Sequence, residues 1–321
     1  MEDYPRTLGE FEARFASDDA CRAYLVQLRW PEGFKCPRCG QTKAWAVRTV
    51  LHQCAACGRQ TSVTAGTIFQ DTRTPLTTWF RALWWISSQK TGTSAKGLQQ
   101  VLGLGSYETA WTWLHKVRRA MVRPGRDRLT GPVEVDETYL GGVEEGLRGR
   151  QIEKKALIAV AVEEVGRGIG RIRMRRIPDA SADSLQAFVE EAVAPGSAVH
   201  TDGWLGYERL AKRGYRHRIT FLQDHEESPA ELLPRVHRVI ALLKRWLLGT
   251  HQGAVTRAHL DYYLDEFTFR FNRRTSRHRG KLFYRLVQQA VAVEPAPYKL
   301  VVKGVRQRSE GQRRKRRHHN K

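Results

Sequence analysis

Two short motifs, CPRCG at residues 36–40 and CAACG at residues 54–58, constrain this chain more than any other feature. In a Cys-x-x-Cys turn both thiolates can face one ion. The glycine that follows permits the tight backbone turn, and two such knuckles complete a tetrahedral zinc site. Cys36, Cys39, Cys54 and Cys57 are therefore expected to hold one structural Zn2+. The intervening WAVRTVLHQC alternates like a strand, as a zinc ribbon needs. Four sulfurs close such a site, so His52 is left out of it; redox chemistry of the pairs is the minor alternative. Cys21 lies outside the pattern, in the helical stretch DDACRAYLVQLRW, and reads as a small buried residue. The N-terminal MEDYPRTLGEFEARF is acidic and lacks the apolar segment of a secretion signal. That points to a reducing cytoplasm, where paired cysteines serve metal rather than disulfides.

Charge narrows the partners. The 321 residues include 55 Lys and Arg against 33 Asp and Glu, a formal net charge of +22, enough to attract a polyanion through counterion release. Nucleic acid is the leading partner. No apolar run approaches the roughly 20 residues of a membrane-spanning helix, which argues against a membrane. The closing RQRSEGQRRKRRHHNK is a low-complexity basic run, expected to be disordered when free and to add phosphate contacts; a solubilising role is equally compatible. No internal repeat of 20 to 50 residues is present.

Between the cysteine region and residue 126, TPLTTWFRALWWISSQ and SAKGLQQVLGLGSYETAWTWLHKVRRAM read as helices broken at GLGS, a pattern compatible with a helix-turn-helix. On the last of these helices Ala110, Trp111, Leu114, Val117 and Met121 share one face. Thr109, Thr112, Lys116 and Arg119 cluster opposite, as a groove-reading face would; a plain helical hairpin is the alternative. From Arg126 the texture changes to alternating strands: GPVEVDETYLGG, KKALIAVAVEEV and GIGRIRMRRI. The helix SADSLQAFVEEAV follows, then the strands SAVHTDGW and HRITFL, then a basic helix, RVHRVIALLKRWLLGTHQG. This order predicts an α/β domain, a mixed sheet with flanking helices. In AHLDYYLDEFTFRFNRR the stripe Leu260, Tyr263, Leu264, Phe267 and Phe271 reads as helical core.

Asp136 falls on the first strand of this sheet and Asp202 where the fourth strand runs into TDGW. Two strand-borne carboxylates can converge on a divalent ion, because hard cations prefer oxygen. Strand alternation puts Glu134 on the face of Asp136 and Glu137 on the other. In the basic helix His237 and Lys244 stand seven positions apart, two turns, and so point the same way. Taken singly, each of these residues reads first as an ordinary edge, turn or solvated-face residue.

Together they resemble the bacterial zinc-ribbon insertion-sequence transposases of the DDE superfamily. The resemblance runs through WPEGFKCPRCG, CAACGRQTSVTAGTIF, VEVDETYLGG, TDGW, LLKRWLLGT, HLDYYLDEF and FRFNRR, nearly the whole chain. It implies a ribonuclease-H-like catalytic domain in which Asp136 and Asp202 are the first two catalytic residues and bind Mg2+ or Mn2+. The third residue of such enzymes is followed by a lysine seven positions on, as His237 is by Lys244, although the usual residue there is glutamate. The resemblance thus implies a catalytic and metal-binding role for His237, with Glu226, Glu227, Glu231 and Glu266 as competing third acids. Lys244 and Arg245 are expected to contact DNA, and Trp204 and Trp246 are weaker DNA-facing candidates. The expected domains are an N-terminal helical segment (1–30), the zinc ribbon (31–70), a helix-turn-helix-like DNA-binding region (71–125), the catalytic domain (126–295) and a basic tail (296–321). The implied activity is cleavage of the terminal inverted repeats of a mobile element and joining of the 3′-hydroxyls to target DNA. A homo-oligomer on double-stranded DNA, associated with the nucleoid, would carry it out. A DNA-binding regulator without catalysis and a ribonuclease-H-like nuclease that does not join strands are the alternatives.

Overall fold

The computed structural model describes residues 2–48, 50–123, 125–141, 155–221 and 224–304. The chain divides into two compact units, one of residues 1–123 with 275–321 and the other of residues 124–274.

The first unit opens with helices α1 (Leu8–Arg14) and α2 (Asp18–Arg29), whose N-caps Thr7 and Ser17 accept the amides of Glu10 and Ala20. A small antiparallel sheet follows in the order β1 (Ala44–Val47), β2 (Leu51–Cys54), β3 (Gln60–Ser62). The stretch expected to be one strand is thus a hairpin. Val47 pairs with Leu51, and Arg48 takes a positive φ of 57° at the turn, which no Gly, Asn or Pro announces. Helices α3 (Leu76–Ser88), α4 (Ala95–Leu102) and α5 (Tyr107–Ala120) complete the N-terminal part of the unit.

At the foot of the small sheet the two knuckles are near copies. Gly40 (φ 77°) and Gly58 (φ 68°) donate to the carbonyls of Cys36 and Cys54, each at 3.0 Å. The four sulfurs lie within 4.8 Å of one another, with Cys36 to Cys57 at 3.7 Å and Cys39 to Cys54 at 3.5 Å. Four ligands at 2.3 Å from a tetrahedral zinc stand about 3.8 Å apart, so this donor set fits that ion. Burial pushes the Cys36 thiol up, but the amides of Cys39 and Arg38 and the neighbouring thiols outweigh it and bring the thiol down to about 6. His52 instead packs against Trp30 and Phe34.

The second unit is built on a five-stranded sheet. Strands β4 (Pro132–Leu140), β5 (Ala156–Val165) and β6 (Gly168–Ile177) form an antiparallel meander. Helix α6 (Ala182–Ala192) then leads to β7 (Ala198–Asp202), which lies parallel to β4, and β8 (Arg216–Thr220) lies parallel to β7. The order β6-β5-β4-β7-β8 gives the mixed sheet with flanking helices expected of a ribonuclease-H-like domain. Both faces are covered. Ile158, Val160 and Val162 of β5 pack with α8 (Pro234–His251), which follows the short α7 (Pro229–Leu232), and with α9 (Leu260–Phe271), through Val239, Ile240, Leu243 and the Leu260 to Phe271 stripe. Leu157, Ala159 and Ala161 meet Val133, Val135 and the Leu185, Phe188 and Val189 face of α6. This double burial explains why ALIAVAV is continuously apolar.

Two expected boundaries move. Helix α10 (Arg279–Ala290), assigned by the sequence to the catalytic domain, belongs to the first unit. There Phe283 touches the rings of Phe11, Phe15, Tyr24, Phe80 and Trp84 at centroid distances of 5.4 to 6.4 Å. The tail begins later than expected, because Tyr298–Val302 forms helix α11 and buries Val301; the basic run from residue 305 lies outside the described residues.

Replacing Cys36 or Cys54 by serine is expected to lower zinc content from one per chain, measured by elemental analysis after gel filtration; unchanged stoichiometry contradicts the four-sulfur site. Phe283→Ala removes the centre of the aromatic cluster and should cost about 3–5 kcal/mol of stability in chemical denaturation. A loss below 1 kcal/mol would place the core of the first unit elsewhere.

Candidate active site

Alternation along β4 decides which side chains reach the site. Val133 and Val135 turn into the core beneath α6, so Glu134 and Asp136 project to the side covered by α8. The parallel ladder to β7 pairs Pro132 with Ala198, Val133 with Val199 and Glu134 with His200. Asp136 and Asp202 lie two residues beyond the last pair of this ladder, and strand alternation puts them on the face of Glu134 and His200. Asp202 ends its strand. Beneath it, His200 Nε2 is 2.7 Å from Thr220 Oγ1 and Thr201 Oγ1 is 2.9 Å from His217 Nε2, tying β7 to β8 through side chains as well as backbone.

Each aspartate engages one oxygen locally. The Glu137 amide donates to Asp136 Oδ1 at 2.8 Å, and the Trp204 amide to Asp202 Oδ1 at 3.1 Å. Asp136 Oδ2 stands 3.5 Å from His237 Nε2 in the first turn of α8. Burial pushes the His237 imidazole below its ordinary range and Lys244 adds to this, while Glu134 and Asp202 pull the other way. A neutral ring, with a lone pair to offer, is favoured. Lys244 is exposed two turns along, beside exposed Arg245; Arg238, exposed one residue after His237, extends the basic face and was missed in the sequence because a single arginine in a basic helix carries no signal.

Two of the four competing acids are engaged in local hydrogen bonds. Glu266, fully buried in α9, accepts from Arg270 at 2.7 and 2.8 Å. Glu231 accepts the amide and hydroxyl of Ser228, both at 2.8 Å, in a capping box at α7. Glu226 and Glu227 are exposed in the loop before α7, Glu227 lying 3.6 Å from His225. Among the described residues the cysteines alone form a group of three or more His, Cys, Asp or Glu donors mutually within 4.8 Å, so Asp136, Asp202 and His237 make an open set rather than a closed cage. An open set of two carboxylates and an imidazole still fits divalent ions, because Mg2+ in phosphoryl-transfer sites takes one or two carboxylates and completes its shell with water and substrate oxygens.

The face expected to read DNA on α5 is largely withdrawn from solvent. Thr112 is buried at 8% exposure, Thr109, Lys116 and Arg119 are half-buried, and burial pushes the Lys116 ammonium down. The helix packs on more than one side: Trp113 stacks on Trp79 of α3 at 3.7 Å, and α4, α10 and α11 also pack on it. The exposed positions are instead Lys96, Gln100 and Val101 of α4 and Ser106, Tyr107 and Glu108 at the turn into α5. Both tryptophans are half-buried and engaged with neighbours. Trp204 donates its indole N–H to the Ala180 carbonyl at 2.9 Å, and Trp246 packs with His251, Tyr263 and Phe267. No described helix is long and apolar enough to cross a membrane.

Comparison with known proteins agrees with both units. Residues 128–272 match the ISXO2-like transposase domain, and residues 16–60 match the transposase zinc-ribbon domain. An uncharacterized protein in transposable element ISH50 of Halobacterium salinarum is 26% identical over 279 residues, covering 80% of this chain and 91% of the relative. The strand-borne aspartates lie inside the first match and the four cysteines inside the second, so the chain is similar to insertion-sequence transposases in both its zinc-ribbon and its transposase-domain regions.

Proposed function

We propose that the protein binds the terminal inverted repeats of its own element, cleaves them and joins the freed 3′-hydroxyls to target DNA. The observation that supports this reading is His237 Nε2 standing 3.5 Å from Asp136 Oδ2, with Asp136 and Asp202 each two residues beyond the last pair, Glu134 with His200, of a parallel ladder between adjacent strands. In this reading Asp136 and Asp202 hold Mg2+ or Mn2+, and His237 completes the set. Bound there, the ions would polarise the scissile phosphate and lower the pKa of the attacking hydroxyl.

The residues supply placement and charge. Lys244, on the same helical face as His237, holds a non-bridging phosphate oxygen, and Arg238 and Arg245 extend the cationic track along α8. In cleavage the water oxygen bonds to phosphorus as the bond to the 3′ oxygen breaks, and that oxygen leaves as a hydroxyl. In joining, the same 3′ oxygen attacks a target phosphodiester and displaces another 3′ oxygen. One phosphodiester is exchanged for another, so no nucleotide triphosphate is needed. The ribbon and the turn between α4 and α5 contribute to end binding, and synapsis of two ends calls for a homo-oligomer working on DNA at the nucleoid.

The test is cleavage and strand transfer of an end-containing duplex in Mg2+ or Mn2+. Asp136→Ala and Asp202→Ala should abolish both products, and His237→Ala should lower them about 10–100-fold, with end binding retained in all three. Near-native cleavage by His237→Ala transfers the third role to another acid. Hydrolysis without joined product supports the nuclease, and binding without cleavage by the unaltered protein supports the regulator.

A further inference from the structure

Helix α8 starts without a polar cap. Its N-cap is Leu233, buried at 1% exposure, and its first residue is Pro234. Capping side chains ordinarily accept the amides two and three positions on, which here belong to Arg235 and Val236. Both amides donate to Glu134 Oε2 at 2.8 Å, across 101 and 102 residues of sequence. The remaining amides of this end are also satisfied, Leu233 donating to Pro229 and His237 to Leu233 at 3.0 and 3.3 Å. The other oxygen of Glu134 accepts the Arg235 guanidinium at 2.9 Å. Arg235 in turn reaches Glu164 at 3.1 Å and the carbonyls of Gly166 and Gly168 at 2.9 and 3.2 Å, in the turn between β5 and β6.

We infer that Glu134 is a positioning residue for the reaction proposed above: its carboxylate seats the first turn of α8 on β4 and so fixes His237 against Asp136. The reason lies in where the cap comes from. A serine or aspartate at position 233 would satisfy the same amides, yet it would leave the helix free to slide along the sheet. Glu134 stands two residues before Asp136 on the same strand face, while its partners Arg235 and Val236 immediately precede His237 on the helix. The two carboxylates are one strand repeat apart, about 6.6 Å, and that spacing sets the register of strand and helix. Negative charge at a helix N-terminus also favours the arrangement.

This inference rests on the proposed ion site, and its test separates the two. Ferrous iron with ascorbate and peroxide, replacing Mg2+ on the full-length protein with end DNA bound, cuts backbone close to the ion. The unaltered protein should be cut near residues 136, 202 and 237; absence of cuts near 136 and 202 removes the ion site itself. In Glu134→Gln the cut near 237 should fade while those near 136 and 202 persist, and strand cleavage should drop about 10–100-fold, with zinc content and end binding retained. The Gln amide places a donor against the guanidinium, so adding Arg235→Ala to Glu134→Gln should recover part of the lost cleavage. Unchanged cutting at 237 in Glu134→Gln, or losses that simply add in the double variant, overturn the inference. If Glu134→Gln does not fold, Glu134→Asp, which keeps the charge but withdraws it by one methylene, is read by the same criterion.

Discussion

Two backbone amides donating to one buried carboxylate join the strand that carries Asp136 to the helix that carries His237. The sheet alone can align the aspartates, since the parallel ladder from Pro132 to Glu134 runs directly into them. It does not by itself place a residue from α8, whose apolar burial through Val239, Ile240 and Leu243 is non-directional, whereas hydrogen bonds fix distance and angle. The contact at Glu134 removes that freedom. It also accounts for a carboxylate at 1% exposure in a sheet interior, where an unpartnered charge would be prohibitive.

A division of labour follows from the two units. In the first, the aromatic cluster around Phe283 and the sulfur cluster supply rigidity to a part of the chain with only short strands. In the second, the arginines of β6 are largely absorbed by structure: Arg171 pairs with Glu163, Arg175 with Glu191 and Arg176 with Asp261. Exposed Arg238, Lys244 and Arg245 add positive charge near the candidate active site, along the part of α8 that follows His237.

What the sequence disclosed follows the range of each interaction. The cysteine knuckles, the alternation of β4 and β6 and the apolar run of β5 are local patterns, and they were legible. So were α8 and α9, whose apolar stripes have helical period. The hairpin turn after Val47 was hidden because alternation runs through it without a turn-forming residue. The face of α5 misled because helical periodicity separates two faces without counting neighbours, and this helix packs against several. The place of α10 was equally hidden, because position in the chain put it with the catalytic domain while its partners include Phe11 at the other end of the chain. Glu134 looked like one more acid beside Asp136, since the amides that define its role come a hundred residues later.

The most direct measurement is anomalous scattering from Mn2+ in crystals of the protein with element-end DNA. The account predicts manganese ligated by Asp136 and Asp202, with His237 Nε2 in the same shell and Glu134 still accepting the amides of Arg235 and Val236. Manganese held by Glu226, Glu227 or Glu231, with Asp202 outside its shell, would contradict it.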